Sequence, residues 1–293
     1  MTPTAAPPAP TVATTLQAAG ARLADAGIAT ARQDAETLLA RVLGTTRVGL
    51  FTGQAGVPGT AREVLEAFLA RRAQHEPLQY ILRETEFCGI RLTLGPGVFI
   101  PRPETEAVVE RALALGLPER ATVLDLCTGS GAIACALGMR RPDWTIWAVE
   151  RADAAAECAR ANVRRLGLAG RVRVCAGDLF EPLRGVLPVG TVDLVVANPP
   201  YLATPLLPTL PVEVRDWEPQ VALDGGAEGL DVIRRLLAEA PAWLRPEGGL
   251  LVEIGEEQGP ATRALVEGDG RYAEARVHRD FRDCERVIAV RRR

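Results

Sequence analysis

The strongest constraint in this chain is an alternation that begins near Thr122 and runs almost to the end. Short apolar runs, "TVLDLC" (122–127), "TIWAVE" (145–150), "RVRVCAG" (171–177), "VDLVVAN" (192–198) and "GLLVEIG" (249–255), are separated by helix-like stretches that include "ADAAAECARANVRRLG" and residues 229–243. Strands apolar on both faces, each followed by a helix, pack as a parallel sheet with helices on both sides, an α/β arrangement. Two late strands are expected near 272–277 and 285–291. Ligands on such sheets sit at the carboxyl ends of the strands, so the residues leaving those ends matter most for function.

Upstream the texture differs. "TTLQAAGARLADAGI", "ARQDAETLLARVLG" and "TAREVLEAFLARRAQ" place apolar residues at helical spacing, each interrupted by Gly or Pro. They predict a small all-helical domain over 11–83, after a Pro/Ala/Thr-rich tail (1–10) expected to be disordered. Alternating residues with turn signals over 84–101 predict a β-hairpin linker, and 102–293 form the α/β domain.

Composition narrows the function classes. Nearly half the 293 residues are hydrophobic, so the chain folds, and a formal charge of -3 argues against a protein that coats nucleic acid. All 34 basic residues are Arg, and there are two Asn, Asn162 and Asn198. The six cysteines form no CxxC pair, which favours free thiols in a reducing compartment over disulfides or a metal site. "MTPTAAPPAP" is no signal sequence, and no apolar run reaches about 18 residues, so a soluble, cytoplasmic protein with no membrane partner is expected. With His75 in the helical region and His278 near the end, a His-centred triad in the core is unsupported, and Ser130 lies in "TGSGA" rather than a G-x-S-x-G elbow.

The first apolar strand exits into "DLCTGSGAIA", with Gly129 and Gly131 just before a helix. Glycines admit close backbone approach, and the helix N-terminus offers unpaired N–H groups. Gly129-x-Gly131-x-x-Ala134, with Glu150 placed to grip a ribose, fits a nicotinamide dinucleotide and S-adenosylmethionine alike; a tight turn with Glu150 as a solvated strand end is the plain alternative. Asp125 tilts the choice. A carboxylate near the loop accepts from an amino group or orders the loop amides, whereas it serves a pyrophosphate poorly. Asp178, after the third strand, sits within reach of an adenine amino group with Leu179 packing on the ring, or else caps the following turn.

The fourth strand ends in Asn198-Pro199-Pro200-Tyr201. A planar amino nitrogen is a weak nucleophile because its lone pair is delocalised. Two acceptors aimed at its N–H bonds hold it in place and stabilise the positive charge it gains on attack. The Asn198 side-chain carbonyl and the Pro199 backbone carbonyl suit that task, since proline fixes φ and so the carbonyl direction. Tyr201 adds a flat stacking face.

Taken with "PLQYIL" (77–82), "EFCGIRL" (86–92), "VFIPRPETE" (98–106), "EPQVALDGGAEGL" (218–230), "GGLLVEIGEEQG" (248–259) and "RDFRDCERVIAV" (279–290), these segments resemble the HemK/PrmC family, the glutamine N(5)-methyltransferases of peptide-chain release factors. The likeness covers about residues 70–293. It implies a class I S-adenosylmethionine-dependent methyltransferase, Rossmann-like with a mostly parallel sheet, whose helical domain docks a class 1 release factor and whose target is the glutamine of the Gly-Gly-Gln loop. It further implies that Cys127, Thr128, Gly129, Ser130, Gly131, Glu150, Leu179 and Asn198 contact the cofactor. Asn198 through Tyr201 would hold the amide, with Phe99, Pro101 and Arg102 helping to enclose the site.

Three positions depart from the family pattern, where Gly is usual: Cys127 in the cofactor loop, Arg83 and Cys284. Cys127 matters most if the loop needs φ > 0 there. The rival readings are methylation of an adenine amino group in DNA or RNA, a ribosomal-protein glutamine as target, a non-catalytic cofactor-binding scaffold, and a nicotinamide dehydrogenase. Near-neutral charge and the want of a basic, aromatic-interleaved insert argue against a nucleic-acid target.

Overall fold

The helical spacing upstream of residue 83 produces five helices: α1 (Val12–Asp25), α2 (Ala31–Val42), α3 (Gly49–Thr52), α4 (Gly59–Arg72) and α5 (Leu78–Leu82). The computed structural model describes residues 10–52, 56–273 and 275–293, so nine residues of the tail expected over 1–10 lie outside it. Thr11 caps α1, its side chain accepting from the Thr14 amide at 3.2 Å. Leu23, Leu38, Leu39, Leu65 and Leu69 pack where the amphipathic faces meet.

These helices and the segment Val212–Trp217 make one compact unit. Within it Arg72 is almost fully buried, and it is matched by Asp34 (2.7 Å), Glu213 (2.5 Å) and the Glu76 carbonyl (3.1 Å). A buried guanidinium persists only with such partners. Arg83 closes α5 in the left-handed region (φ 60), a helix-end conformation that Gly adopts more readily.

The second unit comprises Glu84–Pro211 and Glu218–Arg293. It opens with β1 (Glu84–Phe87) and β2 (Ile90–Thr93), antiparallel around Cys88 and Gly89, both at positive φ as a two-residue hairpin turn requires. The paired strands end at Thr93, shorter than the 84–101 hairpin expected from sequence, and the hairpin belongs with the second unit. Then come α6 (Glu106–Ala114), β3 (Thr122–Leu126), α7 (Ala132–Arg140), β4 (Thr145–Glu150), α8 (Asp153–Arg165), β5 (Val172–Ala176), β6 (Val192–Ala197), α9 (Asp231–Trp243), β7 (Leu244–Glu253), α10 (Gly259–Glu267), β8 (Arg276–Arg279) and β9 (Glu285–Arg291).

The main sheet has the order β5-β4-β3-β6-β7-β9-β8, parallel from β5 through β7, with β9 and β8 antiparallel. Side chains alternate between two cores. Val123, Ile146, Leu194 and Val196 face α6, α7 and α8, while Leu124, Trp147, Val195 and Leu250 face α9. The chain progresses from β3 outward to β5, then returns to place β6 on the other side of β3. That reversal opens a crevice at the carboxyl ends of β3 and β6. Among the described residues no helix is long and apolar enough to cross a membrane.

Asn162 of α8 holds this end of the sheet together. Fully buried, it donates from Nδ2 to the Thr93 carbonyl (2.9 Å) and the Ser130 carbonyl (3.0 Å), and it accepts from the Thr93 amide at 2.7 Å. Asn162→Leu keeps the volume but orphans those backbone groups. It should cost about 2–4 kcal/mol of unfolding free energy, measured by urea denaturation followed through the Trp residues.

Candidate active site

Alternation along β3 decides where Asp125 points. Leu124 and Leu126 face the α9 side, so Asp125 turns to the α7 side, beneath the start of that helix. Its Oδ2 accepts from the Thr128 hydroxyl (2.5 Å) and from the Ala134 amide (3.0 Å), one of the unpaired N–H groups of the first turn of α7. Burial pushes its carboxyl up to about 7, against the pull of these two donors, and the Glu150 charge adds to the rise. Oδ1 is buried with no partner. A buried acceptor in that position fits a ligand donor such as an amino group.

Cys127 leaves the strand at φ 58, followed by Gly129 at 57 and Gly131 at 81. Position 127 therefore does adopt the conformation that makes its departure from Gly significant. Nothing lies within 4 Å of a Cβ built on Gly129, so the loop faces open space there; at Gly131 a Cβ would press on Ala159 Cβ at 3.2 Å. Gly131 is thus needed for the close approach of α8, and Gly129 lies on the open side. The Thr128 amide bonds the Val149 carbonyl at 3.0 Å, and the Ser130 hydroxyl is buried without a partner.

Glu150 ends β4 beside this loop. Its two oxygens accept from the Gly129 amide (2.8 Å) and the Ala152 amide (2.9 Å), which fixes the carboxylate and leaves lone pairs for hydroxyl donors. Asp178 meets Arg235 of α9 at 2.6 Å in an exposed pair, while Leu179 is buried against the α9-side core with φ 46. The glycine loop, Asp125 and Glu150 are thus brought together directly, whereas the Asp178 carboxylate is already engaged by a cation.

Asn198 follows β6, whose Ala197 pairs with Leu126 of β3. Its Nδ2 donates to the Thr105 hydroxyl at 3.1 Å. An amide so anchored keeps Oδ1 for another donor. Pro199 and Pro200 are buried, and Tyr201 donates its hydroxyl to Glu253 Oε1 at 3.2 Å. Burial and the nearby Glu253 charge hold that phenol far above its ordinary range.

The backbone of this motif is braced from the other side. Gln258 Nε2 donates to the Tyr201 carbonyl at 2.9 Å, and the "LDGGAEGL" loop lies so close that a Cβ on Gly225 would meet the Pro200 oxygen at 2.7 Å. Phe99, Pro101 and Arg102 come as one segment. The Arg102 guanidinium lies 4.9 Å from the Phe99 ring centroid and pairs with the buried Glu218, which also accepts from the Ile100 amide at 3.1 Å.

Thr105, Glu218, Glu253 and Arg286 were not singled out from the sequence. A usable signal existed for Glu253: like Glu150, it is an acid that directly follows an apolar run at the end of its strand.

With this geometry in place, likeness to known proteins becomes informative. Residues 14–82 match the PrmC N-terminal domain, and 96–205 match the methyltransferase small domain. The chain is 40% identical to the release factor glutamine methyltransferase of Geobacter sulfurreducens, over 92% of each chain. It is 41% identical to that of Mycolicibacterium smegmatis, over 95% of this chain and 97% of the relative. The chain belongs to the release factor glutamine methyltransferase family. Its fold is that of class I methyltransferases: a methyltransferase from Pyrococcus furiosus superposes with a TM-score of 0.51 at 18% identity, covering 70% of this chain and 89% of that one.

Against the family pattern, Cys127 pays a left-handed penalty that Gly avoids. Cys127→Gly should be tolerated, whereas the β-branched Cys127→Val should lose about 1–2 kcal/mol, compared by thermal melts. Asp125 gives a second expectation. Its folded carboxyl sits near 7, above the ordinary 3.8, so the folded state holds the proton more tightly than the unfolded chain. Stability from this group is complete below about pH 4 and is lost as pH rises through about 7. The melting temperature of the native sequence relative to Asp125→Asn should therefore fall across that interval.

Proposed function

We propose that the protein transfers a methyl group from S-adenosylmethionine to the side-chain amide nitrogen of the glutamine in the Gly-Gly-Gln motif of class 1 peptide-chain release factors. The observation that carries this is the anchored Asn198 amide at the carboxyl end of β6, beside the glycine loop that leaves β3. Family membership supplies the choice of a glutamine over an adenine, and the formal charge of -3 agrees with a protein substrate.

Cys127–Gly131, Glu150 and Asp125 would hold the cofactor: open loop backbone for its close approach, lone pairs on Glu150 for ribose hydroxyls, and the unpartnered Asp125 oxygen for an amino group. Leu179 and Asp178 would border the adenine. Bound there, S-adenosylmethionine supplies an electrophilic methyl group on a sulfonium.

The chain's own residues do the rest. Asn198 Oδ1 and the Pro199 carbonyl accept the two amide N–H bonds, fix the nitrogen, and favour the positive charge that builds on it. Tyr201 packs against the amide plane, and Phe99, Pro101 and Arg102 enclose it. The proton then leaves to water, so no general base is needed. The helical unit docks the release factor in a cytoplasmic setting.

Incubation with labelled S-adenosylmethionine and, separately, a release factor, its Gln→Ala loop mutant and DNA tests this. Label is expected on the intact release factor alone; label on DNA, or equal label on the loop mutant, overturns the reading. Asn198→Ala should lower turnover by at least about 100-fold while cofactor affinity, by calorimetry, stays within about threefold.

A further inference from the structure

We propose that Gln258 is a positioning residue that acts through the Tyr201 backbone carbonyl and so fixes the flat face that Tyr201 offers to the substrate amide. This rests on the reading of Asn198 through Tyr201 as the cradle for that amide. Proline fixes its own φ, and a residue that precedes proline is confined to extended backbone. Asn198 and Pro199 both precede a proline, so the sequence itself restrains them. That restraint ends at Pro200. The chain is tied again from Leu202 onward, whose amide donates to the Leu223 carbonyl (3.0 Å) and whose carbonyl accepts from the Gly225 amide (2.8 Å). Tyr201 lies between the two restrained stretches, and neither proline before it has an N–H by which a neighbour could hold the backbone.

The segment leaving β7 holds Tyr201 at both ends. Its hydroxyl donates to Glu253 Oε1 at 3.2 Å, and its carbonyl accepts from Gln258 Nε2 at 2.9 Å. The surroundings allow one orientation of the Gln258 amide. Oε1 accepts from the Gly255 amide at 2.8 Å, and Nε2 also donates to the Gly229 carbonyl at 3.2 Å. A flipped amide would set a donor against a donor and an oxygen against two carbonyls.

The backbone of Gln258 is equally fixed. Its N–H donates to the Gly255 carbonyl at 3.0 Å, and its carbonyl accepts from the amide and the hydroxyl of the fully buried Thr262 of α10, both at 2.9 Å. Position 229 has no room for a side chain, since a Cβ there would collide with the Tyr201 oxygen and lie 2.7 Å from Gln258 Nε2. One amide thus joins the exit of β6, the exit of β7 and the approach to α9. Asn198 keeps its own anchor in Thr105, so loss of the Gln258 bonds frees the Tyr201 ring and leaves Asn198 and the glycine loop in place.

Gln258→Met keeps the length of the side chain and removes its hydrogen bonds. With labelled S-adenosylmethionine and a release factor, it should lower kcat about 10- to 30-fold, while cofactor affinity and the KM for the release factor stay within about threefold. The same substitution in a Tyr201→Ala background should cost less than about threefold, because the ring it positions is gone. A loss of equal size in both backgrounds, a loss shared by cofactor affinity, or no loss at all overturns the proposal. Gln258→Glu keeps the acceptor for Gly255 but turns a carboxylate oxygen toward two carbonyls. It should be at least as impaired as Gln258→Met, and native turnover by it overturns the proposal as well.

Hydrogen exchange of the Gln258 side-chain amide, followed by NMR in the native chain, needs no variant to fold. Both Nε2 protons should exchange at least about tenfold more slowly than those of free glutamine; exchange at the free rate refutes the clamp. The coupling is measured on whichever acceptor the native protein labels, release factor or DNA, so a failed release-factor reading leaves the role of Gln258 to stand or fall on its own.

Discussion

Two parallel strands lying side by side govern this molecule. Leu126 at the end of β3 is paired with Ala197 at the end of β6, so the chain leaves the sheet at neighbouring points at Cys127 and at Asn198. The first exit is a glycine loop open toward the crevice; the second is an amide followed by two prolines. Parallel register is what makes these exits neighbours, because antiparallel strands would send them to opposite ends of the sheet. The burial of both sheet faces fixes the register by packing Val195 and Ala197 on one side and Leu194 and Val196 on the other.

Around this pair, three polar side chains are tied to backbone. Glu150 fastens the glycine loop to the end of β4, Asn162 fastens the same loop to α8 and β2, and Gln258 fastens the Tyr201 carbonyl. Such bonds are worth more in a dry interior than on a surface, and they leave the crevice preformed. The glycines of the "LDGGAEGL" loop serve the same end. They let one backbone lie directly on another without a side chain between them.

Much of this was legible in the sequence because buried parallel strands are uniformly apolar and stand out. The strands that contain Asp125 and Glu150 and the strand that leads into Asn198 fell where the apolar runs put them, and the motifs at their ends followed. The edge was harder to place. β8 occupies Arg276–Arg279, later than the expected 272–277, because a polar strand at a sheet edge has no apolar pattern to mark it. Thr105 was invisible for another reason: it stands between Glu104 and Glu106 in "PRPETE", and only folding shows which of these side chains turns toward Asn198. Pairing between such distant segments is a property of topology, with no local signature.

The all-arginine complement of cations has a consequence for proton bookkeeping. Guanidinium groups do not titrate in the accessible range, and there is no Lys to do so. All six thiols are pushed upward, five by burial and Cys284 chiefly by its hydrogen bond to Glu256. The two carboxyls that burial pushes up to about 7, Asp125 and Glu253, lie on the strands flanking β6. Ligand binding that changes the protonation of these two carboxyls would take up or release protons, and heats of binding compared across buffers of different ionisation enthalpy would register that exchange at the crevice.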